Sequence, residues 1–202
     1  SLLNWDAKHD VFIQAELKNL SVTQPGIRYF MDNLTGSVPS ILDRMEFVRF
    51  KGSAGGYFHD LQVGGLLQTA AGAVDANLLI NSDSDFKRTY SGGVKSKNLN
   101  LGKLLGDSKF GHTQFNVDLE GFNYNDKYPE SYIKGIVSSF DYSGYCYENI
   151  SLDGIYKDGG FNGHLALDDE NGKVRIDGSF NIAEKISDFN LYATIQNLRL
   201  DK

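Results

Sequence analysis

The chain has 202 residues, 41% of them hydrophobic and 23% charged, which is the balance of a globular protein long enough for a real core. A net charge of −6 argues against binding phosphate backbones, and so nucleic acid, and against electrostatic docking on anionic headgroups. The 22 glycines against 3 prolines suit strands and turns; the single cysteine, Cys146, closes no internal disulfide, and no transmembrane-length apolar run occurs.

Hydrophobic alternation of period two starts early and recurs throughout. The first strand covers Val11 to Leu17, with Val11, Ile13, Ala15 and Leu17 inward and Gln14 and Glu16 outward. The period then changes. Pro25 opens a helical segment with Ile27, Phe30, Met31 and Leu34 at helical spacing, Gly36 stops it, and Pro39 opens a second with Ile41, Leu42 and Met45. Residues 25–45 therefore read as a small helical hairpin. Strands resume at Glu46, where Val48, Phe50, Ala54 and Phe58 share a face with Gly52 and Gly56, and Leu61 to Val63 leads into a turn.

Val74, Leu78 and Ile80 form the next inward row, and Tyr90 to Ser96 is a further strand. Asn100 caps one helical turn, Leu101 to Leu105, ended by Gly106. Phe115, Val117 and Leu119 follow, then Ile133 and Val137, and an aromatic stretch from Phe140 to Tyr147. The pattern is clearest from Ile150 to Phe180: Leu152, then Phe161, Leu165 and Leu167, then Val174 and Ile176, on the face opposite Asn162 and His164. Phe189, Leu191 and Ile195 mark the last strand. The expected fold is all-β, a mostly antiparallel elongated sheet in a single module, 1–202, with a helical insertion near its start. An opening at Ser1 and strand-like alternation at the close suggest a fragment of a longer chain.

Motifs for chemistry are weak. Asn81, Asp83 and Asp85 have calcium-loop spacing, but Phe86 and Gly92 stand where glycine and an acid belong, so a polar turn is the better reading. Asp168 to Gly172 gathers carboxylates around Asn171-Gly172, a hairpin-tip signal. His9, His59, His112 and His164 are scattered, with no metal-ligand spacing, and Cys146 reads as a packed or groove-facing thiol rather than a nucleophile. No cofactor is implied. Gly135, Gly154, Gly163 and Gly178 lie on or near the inward face, where they either relieve curvature or leave a smooth floor that an acyl chain could occupy.

Four stretches, in this order and spacing, resemble the TamB family of periplasmic translocation-and-assembly proteins in the AsmA-like superfamily, nearest to its Bacteroidota type. They are Phe50-Lys-Gly-Ser-Ala-Gly-Gly-Tyr-Phe-His-Asp-Leu61, Asn100-Leu-Gly-Lys-Leu-Leu-Gly106, Gly135-Ile-Val-Ser-Ser-Phe-Asp-Tyr-Ser-Gly-Tyr-Cys-Tyr-Glu-Asn-Ile150 and Leu152-Asp-Gly-Ile-Tyr-Lys-Asp-Gly-Gly-Phe-Asn-Gly163. The hairpin at Asp169-Glu170-Asn171 departs from the family's Asp-Pro-Asn. The resemblance implies a β-taco: a sheet curled into a U-shaped groove, apolar inside and polar outside, in a periplasmic protein anchored in the inner membrane. It further implies phospholipid acyl chains as cargo, an outer-membrane barrel protein as partner, and no catalytic residues. Two other readings compete with this lipid-conducting one. A cell-surface β-sandwich could bind glycans through Tyr142, Tyr145 and Tyr147, or bind a protein partner, and a glycosidase could use Asp168 or Asp169 with a second acid.

Overall fold

A computed structural model describes residues 12–26, 28–29, 44–57, 59–82, 88–122, 130–157, 160–181, 188–197 and 199. The architecture is all-β: eleven antiparallel strands, β1 to β11, lie side by side in chain order in one open sheet. They run Phe12–Thr23, Phe47–Tyr57, Asp60–Thr69, Gly72–Ser82, Arg88–Asn100, Phe110–Phe122, Glu130–Tyr142, Tyr145–Lys157, Gly160–Asp169, Gly172–Asn181 and Asp188–Gln196. Among the described residues each strand pairs only with its neighbours in sequence, and β1 and β11 are the two edges.

The reason is local. Short turns favour the antiparallel return of each strand, so a chain of hairpins builds a meander. At the β7–β8 turn Ser143 and Gly144 both take positive φ (51° and 87°), the backbone that lets a two-residue loop match strand twist. The β3–β4 and β9–β10 hairpins share a different device. Thr69 Oγ1 accepts the Ala71 N–H at 3.1 Å, and Asp169 Oδ1 accepts the Asn171 N–H at 2.9 Å. In the second hairpin the tip is therefore Glu170-Asn171, one residue before the Asn171-Gly172 pair that the sequence favours, and Gly172 already pairs with Asp169.

Three further expectations change. The first strand does not stop at Leu17: it runs to Thr23 through an irregularity between Leu17 and Leu20, which keeps Leu20 and Val22 opposite Phe50 and Val48. Leu61 to Val63 is not the approach to a turn but part of the full strand β3, whose Val63-Gly-Gly-Leu-Leu67 run is apolar on both faces and so hides its alternation. The sandwich alternative has no second sheet among the described residues, and their only buried hydrophobic residues are Ala71, Leu99 and Leu104. The helical hairpin at 25–45 falls mostly outside the described residues: 24–26 and 28–29 are helical, and 44–45 form a turn.

The small buried cluster sits at one long edge of the sheet. There a short helix, Leu101–Leu105, follows β5, with the Asn100 side chain accepting the Lys103 N–H at 2.7 Å and Gly106 closing it at φ 72°. Leu104 from the helix meets Ala71 and Leu99, and Val74, Phe115 and Met45 pack against them. The Arg44 guanidinium donates to the Leu104 and Leu105 carbonyls at 3.0 and 2.6 Å, satisfying two of the helix's orphan acceptors.

Candidate functional site

Directly opposed residues of neighbouring strands share a face, so the register identifies which side chains line up across the whole sheet. One row runs Ala15, Ala54, Val63, Leu78, Gly92, Leu119, Ile133, Gly154, Gly163, Gly178 and Leu191. The next runs Leu17, Gly52, Gly65, Ala76, Val94, Val117, Gly135, Leu152, Leu165, Ile176 and Ala193. Neither row contains a polar side chain. At the usual strand spacing, ten steps make each row about 48 Å long.

The sequence-derived candidates fall on this face. Ala54, Leu78, Leu119, Ile133 and Leu191 lie in the first row, and Val117, Leu152, Leu165 and Ile176 in the second. On the side of the helix they are flanked by Val48, Phe50, Val74, Phe115, Val137, Leu167, Val174 and Ile195, and on the other side by Ile80, Phe161 and Phe189. Phe58 lies outside the described residues. All the described candidates are half-buried except Phe189, Leu191 and Ile195 of the edge strand, which are exposed.

Alternation in the sequence missed Leu61, Val63 and Leu67, hidden in the doubly apolar β3, and Ile150. Beside Ile150 the positive φ of Asn149 (54°) interrupts the simple period. The opposite face behaves differently even for the same residue types: Leu79, Ile136 and Ile155 are 39%, 46% and 40% exposed there. Away from the edge strands β1 and β11, residues in the apolar rows shield one another, whereas Leu79, Ile136 and Ile155 on the other face stand more exposed.

The glycines of this face do not form a uniformly bare floor. A β-carbon at Gly154 would fall 2.6 Å from Phe161 Cζ, and one at Gly65 would fall 2.9 Å from Phe50 Cε2. Aromatic rings therefore lie down over these glycines. At Gly178 the constraint is the backbone itself, with φ 136° and the Asn190 carbonyl oxygen 2.1 Å from where a β-carbon would sit.

The polar face is a set of cross-strand charge pairs. Asp118, Lys134, Asp153, His164 and Asp177 stand opposite one another on β6 to β10. Lys134 Nζ lies 2.9 Å from Asp153, the Tyr132 hydroxyl donates to Asp153 at 2.5 Å, and His164 contacts Asp177. These hydrogen bonds, Tyr132 first and Lys134 second, hold the Asp153 carboxyl below the ordinary range. Two broad hollows open here, of about 750 Å3 over β1 to β4 and about 500 Å3 over β6 to β10, with Gln14, Glu16 and Gln62 lining the first and Lys134, His164 and Asp177 the second.

At the helix-side edge, Tyr145 and Tyr147 pack edge-to-face at 4.7 Å and line a hollow of about 220 Å3 with Leu167 and Val174. Phe140 and Tyr142 stack at 6.2 Å. The Tyr145 hydroxyl donates to Asp169 Oδ1 at 2.5 Å and accepts from the Asn171 amide at 2.5 Å, while the Glu148 N–H donates to Asp169 Oδ2 at 3.1 Å. Burial alone would push the Asp169 carboxyl up; the Tyr145 hydroxyl and the Asn171 and Glu148 N–H groups outweigh it and hold it below the ordinary range. Asp168 pairs with Lys173 at 2.8 Å. The acids favoured for a glycosidase are thus the fastening of a hairpin.

Cys146 is exposed rather than packed or groove-facing, and its hydrogen bond to Asp141 raises the thiol pKa, which keeps it protonated and a poor nucleophile. His59 stacks on Tyr57 at 5.7 Å. Asp83, Asp85 and His9 lie outside the described residues, and no cluster of three metal-ligating side chains occurs among those described. No helix of the described residues is long and apolar enough to cross a membrane. No protein-family model matches the chain, and comparison with curated proteins and with solved structures gives no match either.

Proposed function

We propose that the chain is a non-enzymatic segment of a TamB-like periplasmic protein, its apolar face curled into a groove that carries phospholipid acyl chains between inner and outer membranes, or serves outer-membrane protein assembly. One observation carries the reading: two rows of apolar residues and glycines cross all eleven strands without a polar interruption, and no layer among the described residues covers them. The resemblance of the four quoted stretches to the TamB family supplies the periplasmic setting, the inner-membrane anchor and an outer-membrane barrel partner.

The physics of the cargo fits such a surface. Each methylene removed from water is worth about 0.8 kcal/mol, so a sixteen-carbon chain resists crossing water by roughly 13 kcal/mol. A continuous apolar row lowers that barrier along its whole length, and an open face leaves the headgroup wet. Transfer is best served by weak and uniform contact, which Val, Leu, Ile, Ala and Gly provide without a single polar anchor.

The test is native mass spectrometry of the purified chain with phospholipid. Retained phospholipid is expected, and it is expected to be lost in Leu165→Asp and Val117→Asp, which place a carboxylate in the middle of the second row. Retention undiminished in both variants would sink the reading.

A further inference from the structure

At the helix-side end of β8 to β10 the apolar face runs into the hollow of about 220 Å3 that Tyr145 and Tyr147 line. Leu167 and Val174 form its apolar side, and both belong to the flanking row, one step from Leu165 and Ile176 of the second row. The two rings stand edge-to-face at 4.7 Å and make an aromatic corner. The remaining side is polar, built from Asp169 and Asn171 of the hairpin tip, and among the described residues lining the hollow Asp169 alone is charged. Asp168 and Lys173 alternate onto the opposite face and pair there at 2.8 Å. Glu170 lies near enough to act on the Tyr145 hydroxyl. Arg199, an exposed residue, reaches this end through its main chain, donating its N–H to the Asn171 carbonyl at 2.8 Å.

The polar side has acceptors to spare. Asp169 Oδ2 accepts one N–H, from Glu148, and an ionised carboxylate oxygen has room for a second donor. The Asn171 amide group donates to the Tyr145 hydroxyl, while its Oδ1 is shut from solvent with no hydrogen-bond partner among the described residues. A buried acceptor in that state is costly, and a donor seated against Asn171 supplies what it lacks. A carboxylate, a spare amide oxygen and two aromatic rings together suit a primary ammonium, which brings three N–H donors and a positive charge that ring faces attract. We propose that this hollow seats the primary-ammonium headgroup of a phospholipid whose acyl chains lie along the apolar rows. The inference rests on the acyl-chain reading above and adds to it a headgroup and an orientation. The ammonium donates to Asp169 Oδ2 and Asn171 Oδ1 beside Tyr145 and Tyr147. The acyl chain passes over Leu167 and Val174 onto Leu165 and Ile176, and the phosphate stays in water at the strand ends. A quaternary ammonium keeps the charge but has no N–H to donate, and a glycerol headgroup lacks the charge.

Native mass spectrometry of the 202-residue chain with an equimolar mixture of three phospholipids tests it. Their acyl chains are identical and their headgroups are ethanolamine, choline and glycerol. The ethanolamine lipid should be retained about tenfold over the other two, the worth of one hydrogen bond to a charged group. Asp169→Asn should abolish the preference and Tyr147→Leu should weaken it, with hydrogen-exchange protection of 161–167 reporting that the sheet remains folded. Leu165→Asp, by contrast, should lower retention of all three alike. Equal retention of the three headgroups by the unaltered chain would overturn the headgroup site and leave the acyl-chain reading standing, whereas retention of none would end both. A preference that survives Asp169→Asn would also overturn the assignment. So would displacement of the lipid by free ethanolamine or by a methyl glycoside at equal concentration, since the occupant would then be a small amine or a sugar.

Discussion

The corner of the sheet under the helix and the far half, β8 to β11, use the same kinds of residue in opposite ways. At the corner the chain brings Leu104 over Ala71 and Leu99 and closes off the end of the apolar face beside Val74 and Phe115. Across β8 to β11 comparable Leu, Ile and Val side chains lie in the rows with no layer above them among the described residues, and none reaches the burial of Leu104. The difference shows that exposure of the far half is not forced by composition. A five-residue helix with one Asn cap and one Gly cap is enough to bury a leucine, and among the described residues that device stands at the corner.

The largest effect that sharpens this contrast is in stability. Leu104→Ala should cost about 2–3 kcal/mol, the transfer term of a buried leucine plus an unfilled cavity. Leu165→Ala, in the open second row, should cost about 1 kcal/mol or less, because little cavity forms where little was enclosed. Urea unfolding of the two variants measures both; equal losses would mean that the far half is covered as well as the corner.

Next comes the helix itself. Asn100→Ala removes the 2.7 Å acceptor for the Lys103 N–H and should cost about 1 kcal/mol, and Asn100→Asp should restore most of it. If the helix closes only the corner, hydrogen exchange in these variants should quicken over 99–106 and stay unchanged over 161–176. A uniform acceleration would instead make the corner the keystone of the entire sheet.

How much of this contrast can be read in the residues alone depends on period. Where one face alone is apolar, as in Phe161-Asn-Gly-His-Leu-Ala-Leu167, period two identifies both the strand and the face. The helical turn at the corner is equally legible, since Asn100 and Gly106 are caps whose chemistry acts over four residues or fewer. β3 is not legible: Leu66 and Leu67 are adjacent, Gly64 and Gly65 carry no signal, and only pairing to β2 and β4 decides which leucine joins the rows. The rings over Gly65 and Gly154 were equally hidden, because a glycine on an apolar face looks the same whether a neighbour's ring or a ligand fills it. The absence of a second layer among the described residues is a property of the whole sheet, and alternation, which reports that a face is apolar, carries no information on what covers it.

The smallest expected effect concerns the far half's own substitute for a helix, the Tyr145, Asp169 and Asn171 cluster. Asp169 is held below its ordinary pKa in the folded chain, so its contribution is complete at neutral pH and is lost as pH falls through the folded value. Asp153 acts in the same direction on the polar face. The thermal midpoint should therefore fall on the acid side of the ordinary carboxylate range, less steeply in Asp169→Asn, and least in Asp169→Asn combined with Asp153→Asn. Tyr145→Phe sharpens the assignment. It removes a hydroxyl that offsets burial, so the Asp169 carboxyl should rise, and a carbon-detected NMR titration reads that shift directly. A carboxyl that stays put would mean that the backbone N–H groups of Asn171 and Glu148 hold the hairpin without the tyrosine. The far half would then be fastened by main-chain contacts within β8 to β10, leaving the ring of Tyr145 free to face the hollow that it shares with Tyr147 and Leu167.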